Sequence, residues 1–268
     1  MMSFSTPDST SHSFIAADNR KSRLDLGRDI VYVGDKLEIP KTSAFSERER
    51  IANLLLCSQR QFPATLISGR SGTGKTALAA HFASTCDNAS WYTVESTDTD
   101  WRTFSDYLSA SLGSGEGSQF RHSTTSAYDQ EESRDAIAKF TFQHFFRTAP
   151  GAMAHPSVIV LDDLDHIFDA NWFDDFFHLL LYSLPEDCHF IMLCRSRPPA
   201  PLWRLRSKQM LNVIDEKVIG FTESETEELF ASMGHSRGIA QIAHKKCFGR
   251  ISKLIEFAAE LTPTPCRP

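Results

Sequence analysis

The sequence predicts an α/β fold, with a mainly parallel sheet flanked by helices and a small helical lid at its C-terminal end. Three observations carry that expectation. Apolar runs of strand length alternate with stretches of helical periodicity from residue 64 to about 221. One of those runs leads into a glycine-rich loop that opens a helix. Beyond Phe221 the strand pattern stops and only helical periodicity continues. The implied division is a flexible N-terminal arm over residues 1–28, an α/β domain over 29–221 and a helical lid over 222–262.

The arm is rich in Ser, Thr and Asp and holds no sustained periodicity. Residues 29–39 alternate well enough for a hairpin turning at Gly34-Asp35. Ser46, with Glu49 three residues on, reads as a capping box opening a helix whose apolar face is Ile51, Leu54 and Leu55. Strands are expected at Ala64–Ser68, Trp91–Glu95, Ser157–Leu161, His189–Cys194 and about Leu211–Phe221. Helices are expected at Lys75 to about Thr85, Trp101–Leu112, Arg134–Thr148 and Trp172–Leu184, with a Gly/Ser/Thr-dominated loop from Gly113 to Ser126. Such alternation means a parallel sheet covered on both faces. Thr222 with Glu225 forms a second capping box, and two more helices, Ser236–Cys247 and Arg250–Leu261, break at Phe248-Gly249.

Composition narrows the function classes. The 268 residues carry a net charge of −6, which supplies no global attraction to nucleic acid or anionic membrane, although a local basic patch stays open. No apolar run reaches membrane-spanning length and the N-terminus lacks a secretion signal, so the expected location is the cytoplasm. The six cysteines form no CxxC pair and the ten histidines show no ligand spacing, so no structural metal site is indicated.

Gly69-Arg70-Ser71-Gly72-Thr73-Gly74-Lys75-Thr76 fits the phosphate-loop pattern GxxxxGK[ST] at every fixed position. Glycines let the chain wrap with its N–H groups inward, and the following helix presents its positive end to an anion. Lys75 then reaches the β and γ phosphates and Thr76 ligates Mg²⁺, while Ala77 continues the nucleotide-contacting run. The apolar residues before and after the loop supply the strand-loop-helix context, which makes the expected class a P-loop NTPase using ATP/ADP and Mg²⁺. No guanine-reading motif follows, which favours adenine.

Val158 to Leu161 is an apolar strand ending in Asp162 and Asp163, expected to lie beside the strand that feeds the loop. Asp162 would meet the Mg²⁺ sphere and Asp163 would polarise the attacking water. Asp165 reads as a helix cap or surface acid, and His166 as an ordinary surface or supporting histidine. Arg195 ends the next strand, where a cation can contact a γ-phosphate, a position equally compatible by spacing with a surface arginine. Arg204, Arg206 and Lys208 form a basic strip or a set of solvated charges.

Together these segments resemble the nucleotide-binding module of the STAND ATPases, in the branch of MalT and large LuxR-type regulators. The resemblance rests on Trp91 to Glu95 with Asp98, Asp100, Trp101, Phe104 and Tyr107-Leu108; on Leu161 to Leu164; on Arg195 through Arg206; and on Phe221 to Glu225 with Leu229-Phe230. Ile39-Pro40 is similar to the stretch which that family places near adenine. The resemblance spans about residues 37–261 and implies ATP/ADP switching, slow hydrolysis, Arg195 as phosphate sensor and a lid that closes over the nucleotide. It also implies a protein partner or nucleotide-dependent self-association. A competing reading is an AAA+-like loader or motor acting on nucleic acid or protein, in which Gly249 to Leu254 resembles a second-sensor helix and Arg250 touches the γ-phosphate.

Overall fold

The structure, a computed structural model, describes residues 23–25, 31–41, 48–113, 130–145 and 156–261. Its centre is a five-stranded, wholly parallel sheet of β3 (Ala64–Ser68), β4 (Ala89–Thr93), β5 (Val158–Asp162), β6 (His189–Cys194) and β7 (Leu211–Ile214), in the order β4-β5-β6-β3-β7. A separate two-stranded antiparallel ribbon pairs β1 (Arg23–Asp25) with β2 (Val31–Val33).

The strands sort their side chains by alternation. Leu66, Ile159, Leu161, Phe190 and Met192 point to one face, where α3 (Trp101–Ser111), α4 (Gln130–Phe145), α5 (Phe173–Ser183) and α6 (Ala200–Ser207) cover them. That face is aromatic: Trp101, Phe104, Trp172 and Phe176 lie with ring centroids 4.7–6.1 Å apart. Ile67, Val158, Val160, Ile191 and Leu193 point to the other, under α1 (Glu49–Gln61) and α2 (Lys75–Ser84). The last three helices, α8 (Glu223–Ser232), α9 (Arg237–Cys247) and α10 (Ile251–Leu261), enclose a third cluster built on Phe230, Ala240, Ala243 and Leu254.

The lid helices start and stop where their chemistry dictates. Thr222 and Glu225 form the expected reciprocal capping box at the head of α8. Phe248 and Gly249 both take left-handed φ angles, 52° and 69°, and break α9 from α10. Gly249 is required because its carbonyl accepts from Phe221 N–H at 2.8 Å, and a Cβ there would collide with the Phe221 backbone.

Several expectations are corrected. The strand ending in Asp162 does not lie beside β3: β6 runs between them, because α2 crosses over β6 and β5 before the chain returns as β4. The hairpin arms are 23–25 and 31–33, and Gly34–Lys36 forms a 3-10 turn beyond them. Glu49 is the first residue of α1, with Arg48 at its cap position making no side-chain cap; Ser46 lies outside the described residues. The last strand stops at Ile214, since the Asp215 carboxylate accepts from the N–H groups of Lys217 and Val218 and opens the one-turn helix α7 (Glu216–Ile219). Arg204 and Arg206 lie on helix α6, which was not among the expected elements, with Pro199 at its cap and Pro201 in its first turn. Residues 1–22, the loop 114–126 and the end of the Arg134–Thr148 helix lie outside the described residues.

Candidate functional site

β3 delivers the chain to Gly69 at the C-terminal end of the sheet, between β6 and β7. Gly72 and Gly74 adopt φ of 77° and 91°, which lets the loop wrap. A Cβ on Gly69 would lie 2.7 Å from the Glu216 Cβ, and one on Gly72 would collide with Ser252. The loop is therefore tight because α7 and α10 press on it, as well as because it turns. Helix α2 begins at Lys75 with Gly74 as its cap and no side-chain acceptor, so its first N–H groups lack an intrahelical partner.

Lys75 is buried, and its Nζ donates to the loop's own carbonyls, Gly69 O at 2.5 Å and Arg70 O at 3.2 Å. Burial lowers its pKa, opposed by the charges of Asp162 and Asp163. Thr73 ties the loop internally, its hydroxyl donating to Arg70 O at 2.9 Å. Ser71 is exposed, and Thr76 and Ala77 are half-buried at the helix start.

Asp162, at the end of β5, is buried and accepts from Asp163 N–H at 2.8 Å, with the Thr76 hydroxyl near enough to favour its charged form. Its pKa is raised, first by burial and then by the Asp163 charge. Asp163 sits in the left-handed region, φ 53° and ψ 40°, which Asp tolerates better than most residues. That turn aims its carboxylate across to the end of β6. There Arg195 donates to it twice, Nε at 3.0 Å and Nη2 at 2.6 Å. The hydrogen bond with Asp163 raises the Arg195 pKa. The pair is 52% and 22% exposed, so it contributes only about 0–1 kcal/mol and exchanges partners cheaply.

The structure brings together Lys75, Thr76, Asp162, Asp163 and Arg195. It also adds Glu216, which the sequence did not single out, and gives Asp165 and Arg250 defined partners. Asp165 accepts from Arg195 N–H at 3.0 Å and so fixes the backbone of that arginine. Glu216 accepts from Arg70 N–H at 3.0 Å and pairs with the Arg70 guanidinium at 2.9 Å; these hydrogen bonds hold its carboxyl below the usual range. From the lid, Arg250 donates to Ser71 O, and Ser252 N–H donates to Gly72 O at 3.1 Å. The Arg250 Nε is buried without a partner, 3.6 Å from where a Cβ on Gly72 would stand.

Other candidates fall outside this cluster. Pro40 is half-buried on the segment whose Ile39 packs on the α1–α2 face. His166 is exposed beside Asp165. Of the basic strip, Arg204 lies 3.7 Å from Asp174, Arg206 stacks on Trp203 and Lys208 on Tyr182.

A second set of contacts straps the sheet domain to the lid. Arg48 donates to Ile219 O at 2.7 Å, to Gly220 O and to Glu225, and its guanidinium lies 4.0 Å from the Phe221 ring centroid. Arg50 donates to Val218 O and Gly220 O and pairs with the same carboxylate. Burial pushes Glu225 up, but the hydrogen bonds from Arg48, Arg50 and Thr222 N–H outweigh it and hold its pKa at about 2.

The AAA ATPase domain family matches residues 46–188, more than half of the chain, and the chain belongs to it. It is therefore a nucleotide-binding P-loop ATPase. Over 175 residues it is 26% identical to the HTH-type transcriptional regulator MalT of Serratia proteamaculans, covering 65% of this chain and 19% of that protein. The Yersinia enterocolitica MalT is 26% identical over 166 residues, 62% of this chain and 18% of that one. The chain thus spans about a fifth of the length of these curated relatives, and the resemblance to MalT-type STAND ATPases is borne out over that span. Among solved structures, a STAND protein with a tetratricopeptide-repeat sensor from Pyrococcus horikoshii aligns over 84% of this chain and 34% of its own, with a TM-score of 0.49 and 17% identity. The Drosophila ORC bound to DNA aligns over 94% of this chain and 63% of its own, with a TM-score of 0.46 and 16% identity.

Proposed function

We propose that the chain is a regulatory switch that binds ATP or ADP with Mg²⁺ and hydrolyses ATP slowly. The observation that carries this reading is the seat of the lid on the loop. Arg250 and Ser252, at the head of α10, donate to the carbonyls of Ser71 and Gly72, so whatever enters the loop alters the footing of the lid.

The residues present fit a polyphosphate. The glycine loop is wrapped, the Arg250 Nε beside Gly72 is a buried donor in want of an acceptor, and Lys75 rests on neutral carbonyls that it can leave for phosphate oxygens. Thr76 and Asp162 lie near one another and would hold Mg²⁺. Among the described residues no group of three or more His, Cys, Asp or Glu side chains gathers to bind a metal, so the remaining ligands would be water and phosphate. Mg²⁺ in that place would neutralise charge growing on the β and γ phosphates. Asp163 would polarise the water whose oxygen bonds to the γ-phosphorus as the β–γ bridging P–O bond breaks and ADP leaves with the electron pair. Arg195 would contact the γ-phosphate, and Pro40 and Ala77 would lie toward the adenosine end.

The 29–221 and 222–262 division is proposed as the working unit, with a protein partner or a second nucleotide-bound copy reading the lid. No helix among the described residues is long and apolar enough to cross a membrane, and we place the activity in the cytoplasm. Steady-state phosphate release by the purified chain should run well below about 1 s⁻¹, the low end of enzyme turnover, and rise with concentration or partner. Fast turnover by a demonstrated monomer would sink the switch. The Arg250 contact also suits an AAA+-like loader, and stimulation of hydrolysis by nucleic acid would decide for that second reading.

A further inference from the structure

We infer that Arg48 and Arg50 are positioning residues that clamp the lid hinge and so set how long a nucleotide stays on the loop. The last step rests on the nucleotide reading above; the clamp itself acts between the sheet domain and the lid.

The hinge is the stretch from α7 to α8, where the chain leaves the sheet for the lid. A one-turn helix leaves its last carbonyls without partners of its own. Those of Val218, Ile219 and Gly220 are taken up by two side chains at the head of α1. Arg48 Nη1 donates to Ile219 O at 2.7 Å and Arg50 Nη1 to Val218 O at 2.8 Å, and Gly220 O accepts from both guanidinium groups at 2.9 Å. The same Nη2 atoms reach past the hinge to Glu225 on α8, at 2.8 and 3.1 Å. Each guanidinium therefore grips the chain both before and after Phe221, which capping α7 alone would not require. The two halves differ in depth. The Arg48 side chain is 3% exposed and that of Glu225 15%, so parting them strands a buried charge. Arg50 is 42% exposed and backs the same carboxylate from the solvent side, where water screens it.

The clamp has a path to the loop. The Arg48 guanidinium lies 4.0 Å from the Phe221 ring centroid, and the Phe221 N–H donates to Gly249 O at 2.8 Å. Gly249 fits so closely that a Cβ on it would collide with the Phe221 backbone. The next residue, Arg250, donates to Ser71 O, and Ser252 N–H donates to Gly72 O at 3.1 Å. The head of α1, the hinge, the α9–α10 corner and the loop are thus joined by successive direct contacts. The hinge cannot turn far while α10 keeps its seat. A closed clamp keeps the lid down and retains a nucleotide in the loop; a released clamp lets α10 lift, and the nucleotide leaves sooner.

Release of the fluorescent analogue mant-ADP with Mg²⁺, chased by excess ADP in stopped flow, tests the functional step, and hydrogen exchange at the Ser252 amide tests the path. Arg48→Lys keeps the charge, but a single amine cannot hold two carbonyls and a carboxylate as the fork does, and release should quicken about tenfold or more. Arg50→Ala removes only the exposed half and should quicken it about threefold. The Ser252 amide should exchange faster in the same order, while the amides of β5 and β6 keep their wild-type protection. Arginines that merely stabilised the fold would lower its stability and leave both readouts unmoved in the folded molecules. Wild-type release, or quickened release with Ser252 exchange unmoved, overturns the clamp. If Arg48→Lys loses protection in β5 and β6 it has not folded, and Arg50→Ala decides alone. Failure of the wild-type chain to bind mant-ADP overturns the nucleotide reading instead, and Ser252 exchange in the variants still judges the clamp.

Discussion

The two ends of the central sheet solve opposite problems with polar side chains. At the end where the strands begin, Asn212, Ser58, Thr65 and His189 form one chain of hydrogen bonds. Asn212 Nδ2 donates to Ser58 Oγ at 2.9 Å, Ser58 and Thr65 hydroxyls meet at 2.5 Å, and Thr65 Oγ1 lies 2.9 Å from His189 Nε2. His189 Nδ1 lies 2.9 Å from Phe62 O, which can only accept, so Nδ1 carries the proton and Nε2 accepts from Thr65. Every link has one direction, and Ser58, Thr65 and His189 are buried. At the other end, Arg70, Arg195 and Arg250 are paired with acceptors across the surface of the loop, and each pair has an anionic competitor waiting in the proposed chemistry. One end is saturated and fixed, the other paired and exchangeable. The comparison teaches that partners alone do not make a network structural; burial and the lack of a competing ligand do.

The largest expected break comes at the exchangeable end. Lys75→Ala should cost nucleotide binding about 2–5 kcal/mol, because one cation serves both distal phosphates. It should leave thermal stability almost untouched, since in the free chain Lys75 is a desolvated charge bonded only to carbonyls. Titration with a fluorescent ATP analogue and a melting curve report the two quantities; wild-type affinity would remove the loop from the site. Next, Asp163→Asn should slow single-turnover hydrolysis about 100-fold or more while ATP and Mg²⁺ stay bound. Asp162→Asn should instead weaken Mg²⁺ dependence, and equal small effects of the two on hydrolysis would undo the assignment.

The fixed end should respond in the opposite currency. Thr65→Val keeps shape but removes the central hydroxyl, leaving Ser58 and His189 each short of a partner. A loss of about 1–3 kcal/mol in urea unfolding is expected, with nucleotide affinity unchanged. A variant that bound nucleotide poorly at full stability would erase the distinction between the two ends.

Much of the exchangeable end was legible in the sequence because its chemistry is local. Gly69 to Thr76 acts through fixed spacing on one loop, and Asp162-Asp163 and Arg195 each terminate an apolar run. What stayed hidden depends on distance in the chain. Glu216 lay inside an expected strand, since nothing in the periodicity announces that Asp215 will cap a one-turn helix there. Asp165 looked like an ordinary cap until the order β5-β6 set it against Arg195 N–H. The position of β6 between β5 and β3 is a property of the crossover, which periodicity does not encode. Helix α6 was obscured by three prolines near its start, although proline in a first turn forfeits no helical hydrogen bond. The fixed end left still less trace: Ser58, Thr65, His189 and Asn212 come from four elements and carry no shared motif.

The smallest expected effect is also the sharpest test of the fixed end, because it depends on the ring being buried and hydrogen-bonded on both nitrogens. Burial pushes the His189 pKa down from 6.5 to about 4, against a backbone hydrogen bond with Phe62 that favours the charged ring. The unfolded chain therefore takes up a proton near pH 6.5 that the folded chain refuses until about pH 4. Stability attributable to this neutral ring is complete above pH 6.5 and falls as the pH drops toward 4. The steepest loss approaches about 1.4 kcal/mol per pH unit, so roughly 1 kcal/mol should vanish over the first unit below the unfolded pKa. Glu225 loses stability at lower pH, between its ordinary 4.5 and about 2, so the upper part of the profile is free of it. His189→Gln should be less stable than wild type at neutral pH, having lost one end of the relay, yet show a flatter profile just below pH 6.5. Subtracting the two profiles from urea unfolding cancels the other histidines. A difference that did not change with pH would mean that the ring titrates in the folded chain as it does in water, and the buried relay would then be wrong.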